Sequence, residues 1–176
     1  MQIREPSEAD LDGLIAFFQR VPESERTFFK EPVLDRATVE GWLSGARGRR
    51  GLAVSDDGRV IGYVAVIRLS GWSDHVGEVR LVVDPDERGH GLGRALARWA
   101  LLQALDCGLG KLTVEVVVEQ EGAVAMFGGL GFQAEGLLRD HVRDHDGELR
   151  DLILLSHAVE DARSAMETAG IDDALA

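Results

Sequence analysis

A chain of 176 residues is long enough for one domain with a substantial core and too short to suggest two. Its hydrophobic share of 45% and charged share of 28% are near globular averages, which argues against wholesale disorder. A formal net charge of −12 argues against nonspecific binding of nucleic acid, which needs a basic surface, and suits a cationic partner better, although acidity can also serve solubility alone.

The predicted elements follow the hydrophobic period, which is helical in the first part of the chain and strand-like from Leu52 onward. Ser7 is the predicted N-cap of the first helix, with Asp10 at the capping-box position. In chain order we predict a strand at 3–4, a helix at 8–18, an irregular stretch at 21–30, a helix at 36–44 that ends in a glycine- and arginine-rich break at 45–51, strands at 52–54, 60–69 and 75–83, a helix at 91–106, a strand at 111–119, a helix at 121–130, and strands at 132–143 and 148–159.

The segment from residue 75 to residue 119 is predicted as strand, helix, strand, which is a crossover unit with two parallel strands. The other strands are expected to be mostly antiparallel. Residues 1–159 are therefore predicted to form one α/β domain with a mixed, mostly antiparallel central sheet flanked by helices. Residues 160–176 are expected to form a tail helix that frays. No internal repeat, low-complexity segment or linker marks a second domain.

Features of the whole chain predict a cytoplasmic protein. Cys107 is the only cysteine, so an intrachain disulfide cannot form and a cysteine-rich metal site cannot be built. The N-terminal segment is acidic where a signal peptide would be basic and then apolar. No segment approaches the roughly 20 apolar residues of a membrane-spanning helix. We therefore expect no membrane association and no metal.

The sequence VVDPDERGHGLGRAL, residues 82–96, places three glycines between a strand and a helix. Gly89, Gly91 and Gly93 leave backbone N–H groups uncovered, and a helix start adds further unpaired N–H groups with a partial positive charge. This arrangement fits an anion cradle for a pyrophosphate, and it fits equally a tight turn that binds nothing. The loop lacks the Gly-Lys-Ser/Thr ending of a nucleotide P-loop, and its third glycine comes too early for the dinucleotide motif.

Two motifs in the chain resemble the GNAT superfamily of acyl-CoA-dependent N-acyltransferases. The first motif, Arg/Gln-x-x-Gly-x-Gly/Ala after a strand that ends in V-x-P, matches residues 88–93. The second, roughly N-x-x-A-x-x-L-Y-x-x-x-G-F, matches residues 120–132, which read QEGAVAMFGGLGF. The order of elements agrees from about residue 3 to residue 157. The resemblance implies a sheet that is splayed between its two parallel strands to admit the cofactor.

The resemblance implies that acetyl-CoA is the co-substrate. The amides of residues 88–93, with Arg94 beside them, would hold the pyrophosphate, and the strand end at 81–83 would pair its backbone with the pantetheine arm. One N–H of that strand end would polarise the thioester carbonyl. The predicted cofactor-binding residues are Leu81, Val82, Val83, Arg88, Gly89, His90, Gly91, Leu92, Gly93, Arg94, Gln120 and Phe127. For Val82 and Val83 an ordinary buried strand is a compatible alternative.

The resemblance also implies a catalytic base at Glu78, on the strand that precedes the first motif. Direct transfer needs a neutral amine, yet an alkyl ammonium has a pKa of about 10.4 in water. Glu78 could take the proton directly or through a water, helped by partial desolvation that raises its pKa. The alternative is a solvated strand carboxylate paired with Arg80 or another neighbour.

The chain departs from the family pattern at two positions. Phe127 stands where the family has the tyrosine usually assigned as general acid, and Gln120 stands where it has asparagine. Phe127 cannot donate a proton. A CoA thiolate, with a pKa of about 8.5 by analogy with cysteine, can leave near neutral pH without full protonation.

The resemblance implies an N-acetyltransferase that moves the acetyl group of acetyl-CoA to a primary amine by direct attack on the thioester. It leaves the acceptor open between a small amine and a protein lysine or N-terminus, and it allows a homodimer. The alternative is a non-catalytic acyl-CoA-binding sensor or interaction module on the same fold. Such a sensor would bind CoA and release no free thiol from acetyl-CoA.

Overall fold

The computed structural model describes residues 1–26, 29–43 and 48–160, so the predicted tail helix lies outside the described residues except for its first residue. Within these ranges the strands are β1 (Gln2–Arg4), β2 (Arg49–Val54), β3 (Val60–Arg68), β4 (Val76–Val83), β5 (Lys111–Val117), β6 (Gln133–Arg143) and β7 (Leu149–Ala158), and the α-helices are α1 (Leu11–Arg20), α2 (Glu23–Arg26), α3 (Arg36–Leu43), α4 (Leu92–Asp106) and α5 (Glu121–Gly128). None of the helices in the described ranges has the length and apolar character needed to cross a bilayer.

The strands form one seven-stranded sheet in the order β1-β2-β3-β4-β5-β7-β6. β4 and β5 are parallel and are joined by the α4 crossover. The other neighbouring strands are antiparallel. The predicted α/β domain with a mixed, mostly antiparallel sheet is therefore confirmed, and its parallel pair is the one that the crossover unit predicts.

β4 and β5 separate at one end of the sheet. Their pairing runs from Val76 with Lys111 to Val79 with Val114. Beyond that point, residues 80–83 of β4 stay paired with β3, and residues 115–117 of β5 stay paired with β7. We call the gap between these two stretches the split. In these two stretches β4 pairs only with β3 and β5 pairs only with β7, so the sheet is open between them.

Two hydrophobic cores cover the two faces of the sheet. One contains Leu96 of α4, and we call this side the α4 face. The other contains Phe18 of α1, and we call it the α1 face. Val79 of β4 belongs to the first core and Val82 to the second, because successive side chains of a strand point to opposite faces. Even-numbered residues near the end of β4 therefore lie on the α1 face.

The predicted capping residues of the first helix are confirmed, but the α-helix itself begins later than predicted, at Leu11. The Asp10 carboxylate accepts hydrogen bonds from the Ser7 backbone N–H at 2.7 Å and from its hydroxyl at 2.9 Å, so the capping box is confirmed. The first turn, Glu8–Asp10, is a 3-10 helix, and α1 runs on to Arg20, two residues beyond the predicted end.

Two stretches predicted as irregular contain regular elements in the structure. Glu23–Arg26 forms the short helix α2, where the guanidinium of Arg26 donates to the carbonyl of Val21 at 3.0 Å. The predicted glycine-rich break includes the start of β2, because Arg49 to Gly51 pair with β3. A Cβ at Gly51 would lie 3.1 Å from the Trp99 ring, so glycine is needed there for close packing of α4.

Candidate active site at the split in the sheet

One buried carboxylate holds the loop of residues 84–91, which joins β4 to α4. Asp84 is 1% exposed and accepts a hydrogen bond of 2.8 Å from Nε of Arg20 on α1. Its other carboxylate oxygen accepts from the backbone N–H of Asp86 at 3.2 Å. A buried charge is stable only when it is paired and hydrogen-bonded, and here those partners fix the path of the loop.

Two glycines of this loop have conformations that other residues rarely adopt. Gly89 has a φ of 80°, and Gly91, the N-cap of α4, has a φ of 85°. A Cβ added at either glycine would meet no heavy atom within 4 Å, so the space beside both is open. Within the described ranges, the backbone N–H groups of Gly89 and of residues 91–93 donate no hydrogen bond to a backbone carbonyl. Open space beside free N–H groups at a helix N-terminus fits an anion.

The remaining predicted residues of the loop surround this cradle. Leu92 is buried in the core of the α4 face, whereas His90 and Arg94 are exposed. The Arg88 guanidinium donates to both carboxylate oxygens of Glu25 on α2, at 2.9 and 2.6 Å. Its side chain therefore ties α2 to the loop.

The end of β4 lies along one side of the split. Leu81 and Val83 pack against the core of the α4 face, and Val82 is buried in the core of the α1 face. Their backbones pair with a strand, β3, on one side only, and the Val83 carbonyl also accepts hydrogen bonds from the Arg88 guanidinium at 3.3 and 3.4 Å. A strand with one unpaired edge can bind an extended chain through backbone hydrogen bonds, as predicted for the pantetheine arm.

α5 packs against the start of α4 and places two predicted residues, Gln120 and Phe127. A Cβ at Gly93 would lie 3.0 Å from the Met126 sulfur, so this glycine lets α4 and α5 approach closely. Gln120 is the exposed N-cap of α5. Phe127 is 3% exposed and packs edge-to-face on Phe132, with ring centroids 5.0 Å apart. The ring at the position of the missing tyrosine is thus part of a hydrophobic core.

Five charged side chains form an ion network beside the split. Lys30 Nζ lies 2.9 Å from Glu78 Oε2 and 2.9 Å from Glu115 Oε2. Arg80 donates from Nε to Glu78 and from Nη1 to Glu31, both at 2.9 Å. Glu78 and Arg80 share the α1 face with Val82, because the side chains alternate along β4. The network brings carboxylates of two diverging strands to one cation, and its carboxylates outnumber its cations.

The pKa of Glu78 shifts in the direction opposite to the expected one. Burial raises the pKa of this carboxyl, as predicted, and is the largest single influence on it. The hydrogen bonds and positive charges of Arg80 and Lys30 together outweigh burial, so the pKa lies below its ordinary value. The pKa of Lys30 shifts upward. Burial lowers this pKa, but Glu115 and Glu78 together raise it above its usual range. Of the alternative reading, the pairing of Glu78 with Arg80 is confirmed, whereas the solvated carboxylate is wrong, since the Glu78 side chain is only 13% exposed.

Sequence reasoning missed most of the ion network. Only Glu78 and Arg80 stand out from the sequence, because both adjoin the first motif. A signal for Glu115 does exist: Lys111, Thr113 and Glu115 alternate with apolar residues in β5, which places all three on one face of the strand. Lys30 lies in a stretch without periodicity, so its approach to Glu78 depends on the fold.

Comparisons with known proteins agree with this geometry. The Acetyltransferase (GNAT) family matches residues 15–132, which is more than half of the chain. The L-methionine sulfoximine/L-methionine sulfone acetyltransferase of Pseudomonas paraeruginosa is 27% identical over 172 residues, 93% of this chain and 97% of that protein. The N-alpha-acetyltransferase RimI of Mycobacterium tuberculosis is 34% identical over 88 residues, 49% of this chain and 53% of that protein.

A solved structure shares the fold. A Salmonella typhimurium protein, solved with its cofactor acetyl-CoA, superposes with a TM-score of 0.80 at 18% sequence identity. The match covers 90% of this chain and 94% of that protein. The fold of this chain is therefore shared by a protein that was solved with acetyl-CoA.

Proposed function

The chain belongs to the GNAT family of acetyltransferases, which use acetyl-CoA, and we propose that it acetylates a primary amine by direct attack of the amine on the thioester. The observation that carries this proposal is the split, because it combines two different sites. The loop of residues 84–91 supplies an anion cradle, and the ion network supplies carboxylates that suit a cationic acceptor. The alternative of a non-catalytic sensor receives no support from the related proteins.

Backbone groups of the loop of residues 84–91 and of the adjoining end of β4 would bind acetyl-CoA in this proposal. The free N–H groups and open space at Gly89 and Gly91 would receive the pyrophosphate. The unpaired edge of residues 81–83 would bind the pantetheine arm and offer one N–H to the thioester carbonyl. When bound, acetyl-CoA supplies an acetyl group on a sulfur leaving group.

Glu78 acts on the acceptor in this proposal. Its pKa lies below the ordinary value, so the carboxylate is ionised at neutral pH and attracts an ammonium. The ammonium loses one proton to Glu78, directly or through a water, and its nitrogen then bonds to the acetyl carbon. The carbon–sulfur bond breaks, and the nitrogen releases a second proton to water as the amide forms. The sulfur leaves as a thiolate, whose pKa of about 8.5 makes full protonation unnecessary.

The relatives indicate the range of acceptors to test. One acetylates an amino-acid sulfoximine or sulfone, and another is an N-alpha-acetyltransferase. We propose that the acceptor of this chain is likewise a primary amine, carried either by a small molecule or by a protein lysine or N-terminus. The formal net charge of −12 favours an acceptor that arrives as a cation.

The test is acetyl transfer from acetyl-CoA to a panel of primary amines and peptides. Free thiol release and the acetylated product, identified by mass spectrometry, are measured in the same reactions. We expect both signals to appear together and in equal amounts for at least one amine. CoA binding without thiol release for any amine or peptide would contradict the proposal, and thiol release without an amide product would show hydrolysis instead.

A further inference from the structure

Lys30 occupies a place that a substrate ammonium would suit. Its Nζ lies 2.9 Å from one oxygen of Glu78 and 2.9 Å from one oxygen of Glu115. Glu78 lies on β4 beside the split, and Glu115 lies on β5 one residue beyond the last β4–β5 pair, Val79 with Val114. One amine nitrogen is therefore held between two diverging strands, beside the strand edge assigned to the thioester.

We propose that the two carboxylates of Glu78 and Glu115 are the seat of the acceptor ammonium, and that Lys30 fills this seat until an acceptor displaces it. This inference rests on the proposed function and narrows its acceptor class. Lys30 is then an internal competitor, and Glu115 is a positioning residue for the acceptor. Neither role follows from the motifs that identify the family.

The Lys30 side chain is suited to displacement. It is 46% exposed, whereas Glu78 is 13% and Glu115 is 28% exposed, so the cation is the most accessible member of the group. Because nearly half of the lysine side chain is exposed, it can exchange the two carboxylates for water and regain conformational freedom when it leaves. The carboxylates lie on strands of the sheet, so they stay in place when the lysine leaves.

Arg80 limits the acceptor class further. Its Nε and Nη1 are already bound to Glu78 and Glu31. A carboxylate next to the acceptor amine would therefore meet Glu78 and Glu115 rather than an available arginine. An alkyl primary amine, such as a lysine side chain or a small aliphatic amine, fits this seat better than the amine of a free amino acid.

The experiment compares n-butylamine with L-norleucine as acceptors for the wild type and three variants. Lys30→Met removes the internal competitor, and Glu115→Gln removes half of the seat. Arg36→Met is the matched control, because Arg36 also bridges two carboxylates, Asp12 and Glu40, but lies on the exposed surface of α3. Amine binding to the CoA-loaded enzyme is followed by NMR titration, and acetyl transfer is measured separately.

We expect Lys30→Met to tighten n-butylamine binding and to raise kcat/KM about tenfold, the factor expected if Lys30 fills the seat about nine times in ten. Glu115→Gln should weaken binding by a similar factor with little change in kcat. Arg36→Met should match the wild type, and n-butylamine should be the better acceptor.

Equal binding of n-butylamine by Lys30→Met and Arg36→Met would overturn the inference, as would weaker binding by Lys30→Met or a preference for L-norleucine. These outcomes are distinct from failure of the proposed function. In that case no variant would form an acetylated amine, while Lys30→Met could still bind n-butylamine more tightly than the wild type.

Discussion

The loop of residues 84–91 and the ion network both lie at the split, yet they are built in different ways. The anion cradle uses backbone N–H groups within one continuous stretch, residues 89–93. The network uses side chains from three separate stretches, near residues 30, 78 and 115. The glycine spacing and the helix start are local features of the sequence, and Arg20 of α1 holds the loop through Asp84, whereas the network exists only once the sheet has formed. The two sites should therefore respond to different substitutions, and the following changes test that separation.

The largest effect is expected from Gly91→Glu, which should abolish CoA binding. The variant places a side chain and a negative charge in the open space where the pyrophosphate should lie. Calorimetry measures the affinity for CoA, which we expect to fall by more than about 100-fold. The pyrophosphate would then be repelled by the new carboxylate at the helix N-terminus that otherwise attracts it.

Gly58→Glu is the matched control for this substitution. Gly58 also has a φ of 85° and open space around it, but it lies in the turn between β2 and β3. Both variants carry the same backbone strain and the same added charge. If Gly91→Glu is folded and binds CoA within a few-fold of the wild type, the cradle is misassigned.

Glu78→Gln should reduce the rate of acetyl transfer by roughly 10²–10⁴ at neutral pH, because it keeps the shape of the side chain and removes its basicity. Raising the pH toward the acceptor pKa of about 10.4 should restore part of the rate, since more amine is then neutral without help. Glu135→Gln, at another carboxylate paired with a lysine, Lys111, is the control. Rates as high as those of the wild type at neutral pH would remove Glu78 from the base role.

Asp84→Ala should lower the free energy of unfolding by about 3–5 kcal/mol, because it leaves the Arg20 guanidinium without its buried partner. Urea unfolding measures this loss. The double variant with Arg20→Met should recover part of it, since the stranded charge is gone. A loss below about 1 kcal/mol would mean that water already screens the pair and that Asp84 does not hold the loop.

The smallest effect is expected from Phe127→Tyr, which tests whether a general acid is missing. Phe127 is buried against Phe132, so a hydroxyl without a partner should cost about 1–3 kcal/mol of stability and leave the rate no higher. Thermal unfolding and the rate of transfer against pH are measured together. A stable variant that is faster at low pH would show instead that the ring reaches the leaving sulfur.

The sequence predicts the loop side of the split well and the network side poorly. The capping residues, the glycine spacing and the strand-helix-strand order are local, so the parallel pair and α4 lie where the sequence places them. Lys30 and Glu115 are far apart in the sequence and come into contact only in the folded sheet. No local sequence pattern encodes that contact. The predicted direction of the Glu78 pKa shift is wrong for the same reason. One of the two cations that lower this pKa, Lys30, comes from a distant segment.

The most direct test of the separation is the affinity of Glu78→Gln for CoA, measured by calorimetry beside its rate of acetyl transfer. If the cradle binds the cofactor through backbone groups while Glu78 acts on the acceptor, the CoA affinity should stay within about twofold of the wild type as the rate falls by at least about 10². A parallel loss of CoA affinity and rate would contradict the account, because the two sides of the split would then form one binding unit.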